Sequence, residues 1–363
     1  IVSSDSKNGY NFSESTSLSE VLIVAKRVDN HKESEDTLFI NLINKPKTGL
    51  ESMILADHID NEDGIIQLSE GNTKAIVIRV NRDELIKNLD NWNRFVGIPE
   101  IELLKEMIDL ANTGELKIGE KSIKIPLTRL NDIIQSIGID RHQFHDLFKV
   151  VNMETIRPII YSGKKDIRKK IIIEPNAYAD LKDKKGDEIF SSFSSKVLLP
   201  DRIAWNTSSV IAIYSSKPVL ANLFYAIRLK QMENIEIEKL EKALTLWLNT
   251  TWGMLIVLIN REETGGAWTS LKMSQWRLLP VIDVYKLNKD VIEKLADLFD
   301  RISNKTLKEI PEQFNPKSID PIRLEIDREF LKALNQSIDE ADIDNYLFKL
   351  YSKTDVALKR MWR

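Results

Sequence analysis

The 363-residue chain contains no cysteine, and this absence excludes disulfide bonds, iron–sulfur clusters and zinc sites built from thiolates. An excess of positive charge is also missing, because 52 Lys and Arg residues face 55 Asp and Glu residues. This balance argues against a protein covered with basic residues, but it leaves room for a local basic surface. No apolar run reaches the ~18 uncharged residues needed to cross a bilayer. We therefore expect a cytoplasmic protein with no membrane partner.

The length of the chain and the order of its patterns predict a mixed α+β protein of roughly two domains. At Arg157 the sequence changes to short strands, lysine clusters and turns, and long helical patterns follow from Ile235. We place the domain boundary at the first of these changes, which gives residues 1–156 and 157–363 as the predicted domains. The chain begins at Ile1 rather than Met, within a polar stretch, and this predicts a piece of a longer polypeptide.

Local signals predict individual elements. Asn81 is a good helix N-cap with Glu84 three residues on, and Gly114 is expected to end a helix that begins near Pro99. The predicted strands are Val21–Ala25, Leu38–Ile43 and Ala75–Val80, with a hairpin at Glu115–Ile118 and Ser122–Ile125. The other predicted helices are Ser52–Ile59, Leu127–Ile137, Arg141–Val150, Ile235–Ile259, Lys289–Ser303, Arg328–Gln336 and a C-terminal helical tail.

Apolar residues follow a helical spacing between Leu240 and Leu258, which indicates packing against a core. Asn249, Thr250 and Thr251 interrupt this pattern. They suit either a polar face turned towards DNA or a helix kink in which Thr side chains bond to the backbone.

A basic segment lies in the middle of the chain. Arg157 to Glu174 holds six positively and two negatively charged residues, a local charge of +4 in a chain whose net charge is −3. Such a segment suits the phosphates of a nucleic acid, and the alternative is a solvated loop. The candidate DNA-binding residues here are Lys164, Lys165, Arg168, Lys169 and Lys170, and Arg202, near a predicted strand, is a further candidate.

A second candidate region surrounds Gly265 and Gly266, which permit positive φ and a close approach of the backbone to a partner. Cations, hydroxyl groups and an indole flank them, and these groups suit phosphates and base edges. A plain turn between a helix and a strand is the alternative. The candidate DNA-binding residues of this region are Arg261, Gly265, Gly266, Trp268, Lys272 and Arg277.

Segments in both halves of the chain resemble the N6-adenine DNA methyltransferases of restriction-modification systems, of the type I modification subunit or type IIG kind. FSESTSLSEVLIVAKR at Phe12–Arg27 resembles the segment that follows the catalytic loop. LWLNTTWG at Leu246–Gly253, the Gly-Gly turn and LLPV at Leu278–Val281 resemble the target-recognition region.

Two more segments add to this resemblance. Lys217-Pro218, after Tyr214-Ser215-Ser216, fits the strand-to-helix connection that precedes the target-recognition region, and IRLEIDREFLKAL at Ile322–Leu334 resembles a closing Arg…Asp helix. The resemblance implies that residues 1–156 hold the end of the catalytic α/β sheet with a helical and hairpin insertion. It implies that residues 157–363 form a target-recognition domain with a helical tail, which binds double-stranded DNA.

The family's two catalytic motifs are absent. Members have a Gly-rich turn for S-adenosylmethionine and an Asn-Pro-Pro-aromatic loop for the flipped adenine, whereas this chain has neither Gly-x-Gly nor Pro-Pro. We therefore expect no catalytic residue and no cofactor in this chain, which alone would be inactive. S-adenosylmethionine would be bound by a missing part of the enzyme.

Two other function classes remain open. The long helices could dock on a separate catalytic domain or subunit, and such a module would ignore DNA. A restriction nuclease is disfavoured because no Glu-x-Lys follows Pro200-Asp201 at a suitable distance. His142 and His145 have metal-ligand spacing without a third ligand nearby, so we predict no metal site.

Overall fold

The computed structural model describes residues 2–4, 21–23, 36–44, 46–61, 64–68, 74–89, 91–161, 165–232, 236–263 and 268–362. The chain contains α-helices together with parallel and antiparallel pairs of β-strands, which confirms the predicted α+β class.

The described strands are β1 (Val2–Ser4), β2 (Val21–Leu22), β3 (Thr37–Asn44), β4 (Gly64–Gln67), β5 (Lys74–Val80), β6 (Glu115–Ile118), β7 (Lys121–Lys124), β8 (Leu127–Arg129), β9 (Ile134–Ile137), β10 (Phe148–Val151), β11 (Pro158–Ile160), β12 (Ile172–Ile173), β13 (Ala177–Leu181), β14 (Ser195–Pro200), β15 (Arg202–Ala204), β16 (Ile213–Ala221), β17 (Phe224–Leu229), β18 (Glu262–Glu263), β19 (Trp268–Ser270) and β20 (Pro280–Ile282). The described α-helices are α1 (Gly49–Asn61), α2 (Arg82–Lys87), α3 (Ile101–Thr113), α4 (Leu130–Ile133), α5 (Arg141–Leu147), α6 (Lys185–Phe193), α7 (Ile237–Leu248), α8 (Thr251–Ile259), α9 (Met273–Leu278), α10 (Lys289–Ile302), α11 (Ile310–Gln313), α12 (Pro321–Leu334) and α13 (Glu340–Trp362). Short 3-10 helices lie at Trp92–Val96, Lys165–Arg168 and Val284–Lys286.

The chain forms two compact units that alternate along the sequence. Unit 1 comprises Ile1–Ile108, Leu258–Thr269 and Lys353–Arg363, and unit 2 comprises Asp109–Val257 and Ser270–Ser352. The boundary predicted between residues 156 and 157 falls inside unit 2. The functional division into a catalytic remnant and a target-recognition domain stays a prediction.

Unit 1 contains a five-stranded sheet in the order β2-β1-β3-β5-β4, in which β1 and β3 are parallel and the other pairs antiparallel. Successive side chains of β3 point to opposite faces of the sheet. Ile40 packs with Leu55 of α1, whereas Phe39 packs on Phe95 with ring centroids 4.8 Å apart. The predicted strands at 38–43 and 75–80 and the helix at 52–59 are confirmed. Of Phe12–Arg27, only residues 21–23 are described.

Unit 2 contains an eight-stranded sheet with the main path β10-β13-β11-β16-β14-β17-β9, and β12 pairs with β16. Helix α7 packs on β14, β16 and β17, α10 packs on α7, and α12 packs on α10. The predicted hairpin is confirmed as β6 and β7, turning at Gly119 with a φ of +59°. Gly114, with a φ of +68°, ends α3 as predicted.

Three predicted elements of unit 2 were wrong in part. Residues 127–137 form the short helix α4 between two strands, because β8 pairs with β20 and β9 pairs with β17. Helix α5 has the capping box of Asp140 but ends at Leu147, because β10 pairs with β13. Lys217 and Pro218 lie within β16 and not in a strand-to-helix connection. The β14–β16 pairing shifts register there, a place that tolerates proline.

The predicted long helix at 235–259 is broken into α7 and α8, which differ in direction by 67°. The Thr250 hydroxyl donates to the Trp247 carbonyl at 2.7 Å and accepts the Gly253 N–H at 3.1 Å, so it ends one helix and caps the next. Asn249, Thr250 and Thr251 are buried, and the kink alternative is confirmed. In the part of the chain that the structure describes, no single helix has the length and apolarity to cross a membrane. The bent pair of α7 and α8 reaches that length and apolarity only when the two helices are taken together.

A buried polar network holds the break. The Asp327 carboxylate accepts the Thr251 N–H at 2.9 Å, the Thr251 hydroxyl and the Tyr351 hydroxyl at 2.7 Å. Arg323 donates to the Asn249 carbonyl and pairs with Asp327 at 3.9 Å. Burial raises the pKa of Asp327, and Arg323 opposes this shift. Two segments that carry the methyltransferase resemblance, 246–253 and 322–334, are therefore bound to each other.

Removing the Asp327 carboxylate is expected to destabilise unit 2. Asp327→Ala leaves the Arg323 guanidinium buried without its carboxylate, so the free energy of unfolding should fall by about 3–5 kcal/mol. Urea unfolding followed by tryptophan fluorescence measures the loss. Asp344→Ala is the control, because Asp344 pairs with Arg328 at the surface and should cost under about 1 kcal/mol. Equal losses would contradict the prediction.

A second carboxylate of unit 2, that of Glu241, is half-buried. Burial raises the pKa of Glu241 on α7 to about 7, against the opposing effects of Lys196 and of a 3.4 Å hydrogen bond from the Tyr214 hydroxyl. Between pH 4.5 and 7 the native state keeps a proton that the unfolded chain releases. The free energy of unfolding should therefore fall as pH rises through this window.

Glu241→Gln should remove this pH dependence. Relative to the original chain, the variant should gain about 2–3 kcal/mol in the free energy of unfolding at pH 8 and little at pH 4. Glu238→Gln on the same helix is the control, because a hydrogen bond from Lys196 lowers the pKa of Glu238. That variant should gain nothing at pH 8. Urea unfolding at both pH values separates the two outcomes, and a pH-independent effect of Glu241→Gln would refute the assignment.

Candidate nucleic-acid interface

A tight turn of unit 2, Pro200–Arg202, joins β14 to β15 and is fixed by backbone hydrogen bonds. The Asp201 N–H donates to the Leu223 carbonyl at 3.2 Å, and the Asp201 carbonyl accepts the Leu271 N–H at 3.0 Å. The Trp276 indole donates to the Pro200 carbonyl at 3.0 Å. The segment that contains Leu271 and Trp276 is thereby bound to this turn.

Arg168 connects the basic segment to the same turn. Its guanidinium donates to the Arg202 carbonyl at 2.6 Å and lies over the Phe224 ring, 5.0 Å from the centroid. Its backbone carbonyl accepts the Ser209 N–H at 3.0 Å. Arg168 of the first basic region, and Leu271 and Trp276 on either side of Lys272 in the second, are therefore all bound to residues 200–202.

The turn carries mixed charge. Burial raises the pKa of Asp201, while Arg168, Arg202 and Arg141 favour its ionised form. Burial also lowers the pKa of Arg168, and Asp201 opposes that shift. The pKa of Tyr225 is raised by burial and then by Asp201 and Asp140. We call this region the 200-turn surface. It comprises Arg141, Arg168, Asp201 and Arg202, together with the chain neighbours of Arg168 and Leu271, which are Lys169, Lys170 and Lys272.

Among the predicted DNA-binding residues, five belong to the 200-turn surface. Lys169, Lys170, Arg202 and Lys272 have exposed side chains, and Arg168 is half-buried. Arg277 follows on α9 but is half-buried and donates to the Asn131 side chain at 2.7 Å. Its bond to Asn131 turns this guanidinium towards α4.

The other predicted residues lie elsewhere. Arg261 is buried in unit 1 and donates to the carbonyls of Leu258 and Gly97, so it packs within that unit. Trp268, also in unit 1, is 53% exposed. Lys164, Gly265 and Gly266 lie outside the described residues, and Lys165 belongs to a 3-10 helix. A DNA-binding role for these residues stays a prediction.

Sequence reasoning missed Arg141, Tyr225 and the position of Asp201 among cations. A signal for Arg141 was present: it is the first residue of α5, and a cation is unfavourable at a helix N-terminus. Tyr225 and Asp201 gave no such signal, because their proximity depends on the pairing of β14 with β17.

Of the two histidines of α5, His145 packs against aromatic rings and His142 is exposed. The His145 ring meets the edges of Phe144 and Tyr161, with ring centroids 5.7 and 6.2 Å away. Within the described ranges, no group of three or more His, Asp or Glu side chains is arranged to hold a metal ion.

No known protein-family description matches this sequence, and no curated protein sequence matches it. Among solved structures, the chain is similar to the type IIG restriction endonuclease BpuSI, with a TM-score of 0.46 and 10% sequence identity. The alignment covers 91% of this chain and 40% of the BpuSI chain, so this chain spans about 40% of the length of that enzyme.

Replacing Arg168 should loosen the connection between the basic segment and the turn. Arg168→Met keeps an apolar contact with Phe224 but loses the charged hydrogen bond to the Arg202 carbonyl, so the free energy of unfolding should fall by about 1–3 kcal/mol. Urea unfolding provides the measurement. Lys170→Met, at an exposed neighbouring position, should change stability by less than about 0.5 kcal/mol. A similar result for both variants would show that the Arg168 contacts contribute little.

Proposed function

We propose that the chain binds double-stranded DNA through the 200-turn surface, as the target-recognition part of an S-adenosylmethionine-dependent N6-adenine DNA methyltransferase. The observation that carries the proposal is the meeting of two separate basic segments at one hydrogen-bonded turn. In a chain whose net charge is −3, such a concentration of cations forms a local positive surface.

The charge distribution of this surface suits duplex DNA. The 200-turn surface has six cations, from Arg141 to Lys272, and Asp140 and Asp201 are two acids close to it. Exposed lysines on flexible stems neutralise phosphates and hold the duplex in register. Arg202 begins β15, so its exposed guanidinium extends from a fixed backbone and suits bidentate contact with a guanine edge.

The methyltransferase part of the proposal rests on the sequence resemblance. Its segments at 246–253 and 322–334 meet in the buried network of unit 2, which supports a common fold-forming role for them. The motifs for the cofactor and for the target adenine are missing from this chain. Methyl transfer would therefore require a separate cofactor-binding part, and this chain would supply recognition.

The salt dependence of DNA binding tests the proposal. The logarithm of the association constant for duplex DNA should fall with the logarithm of salt concentration, by about 0.9 per phosphate contact. The triple variant Lys169→Gln, Lys170→Gln and Arg202→Gln should reduce this slope by about 2–3. Fluorescence anisotropy with a pool of random duplexes, from low to physiological salt, measures this slope for the original chain and for the triple variant.

A matched triple variant controls for net charge. Lys289, Lys317 and Lys349 are exposed in unit 2 on other elements, and their change to glutamine should leave the slope unaltered. Equal effects of the two triple variants would contradict a local interface. A chain that binds no duplex at low salt would instead favour the protein-docking alternative, and magnesium-dependent cleavage of the duplex would favour a nuclease.

A further inference from the structure

Asp201 is an acidic residue at the centre of a surface that otherwise suits phosphates. Its electrostatic neighbours are Arg168, Arg202 and Arg141. A carboxylate at this position repels phosphate and weakens sequence-independent binding. This repulsion weakens the binding of every DNA sequence alike. Phosphate binding therefore gives no reason for a carboxylate at this position, and another role is needed.

The geometry keeps the Asp201 carboxylate from acting as a simple ion-pair partner. Within the described part of the chain, no Lys or Arg nitrogen lies within 4 Å of its oxygens, although Arg168 donates to the next carbonyl. The backbone N–H of Arg202, like the three arginine side chains, favours the ionised form of the carboxylate and so lowers its pKa against the effect of burial. Its backbone is held on both sides by the bonds to Leu223 and Leu271. The backbone of Asp201 is therefore held in place, and the two carboxylate oxygens have acceptor capacity for a ligand.

We propose that Asp201 is a specificity-determining residue that accepts a hydrogen bond from the exocyclic N4 amino group of a cytosine in the major groove. This inference rests on the proposed function. Amino groups on base edges are donors, and cytosine N4 is the donor that Asp and Glu accept in DNA complexes. Cations on both sides of the turn would hold the flanking phosphates, so that the carboxylate meets a base edge and not the backbone.

The alternative role of Asp201 is to orient the neighbouring arginines. A residue that only orients them would affect binding to all sequences alike. A residue that accepts from cytosine would affect binding at one base pair. Base preference therefore separates the two roles, whereas overall affinity does not.

Selection from a random duplex pool with the original chain and with Asp201→Asn provides the test. The amide keeps the shape but adds a donor, so preference for cytosine at one position should fall by about 5- to 100-fold. Binding to non-selected duplex should strengthen, since one negative charge is removed. Asp180→Asn, an exposed change on β13, is the control and should leave the selected sequence unaltered.

A second measurement is independent of how much of each variant is folded. The ratio of affinities for the selected duplex with cytosine and with N4-methylcytosine at that position is taken within each variant. This ratio should exceed about 5 for the original chain and approach 1 for Asp201→Asn. An unchanged selected sequence and an unchanged ratio in Asp201→Asn would overturn the inference while leaving the proposed function intact. Failure of the original chain to bind duplex would overturn both.

Discussion

The buried pair Arg323–Asp327 is the constraint on which much of unit 2 depends. Arg323 donates to Gln313 at 2.9 Å, and the Gln313 amide donates to the Ser209 carbonyl at 2.7 Å. The Ser209 N–H in turn donates to the Arg168 carbonyl. An unbroken series of hydrogen bonds thus leads from the helix break at Asn249 to the 200-turn surface. Because the buried side chains of Arg323 and Asp327 both have hydrogen-bond partners, the desolvation cost of the pair is offset.

Sequence reasoning succeeded where local chemistry decides the structure. Asn81 caps α2 by accepting the Glu84 N–H, and Gly114 and Gly119 adopt the positive φ that ends a helix and forms a tight turn. These positions need no knowledge of distant neighbours. The same holds for β3 and β5 of unit 1, whose short runs of apolar and β-branched residues match strands packed on both faces.

It failed where a distant strand supplied the partners. Residues 134–137 have a helical pattern but pair with β17, and 148–151 pair with β13. The candidate interface shows both situations. Its lysine cluster was visible as charge density, whereas the position of Asp201 beside Arg168 depends on contacts across more than 30 residues. Arg261 shows the opposite outcome. Its polar sequence neighbours suggested an exposed DNA contact, whereas its guanidinium is buried and donates to carbonyl groups.

The alternation of the two units along the chain has a consequence for biosynthesis. Unit 1 draws on residues from Val2 to Trp362, and its late residues are bound to early ones: Lys353 pairs with Glu102 at 2.9 Å, and Arg360 donates to the Pro99 carbonyl. All of unit 2 is therefore synthesised before the last segment of unit 1, Lys353–Arg363. Contacts of such long sequence separation form slowly. The strands of the unit 1 sheet all precede residue 81, but the unit lacks residues 353–363 until unit 2 has been synthesised, and an incompletely packed unit is exposed to proteases and chaperones during that time.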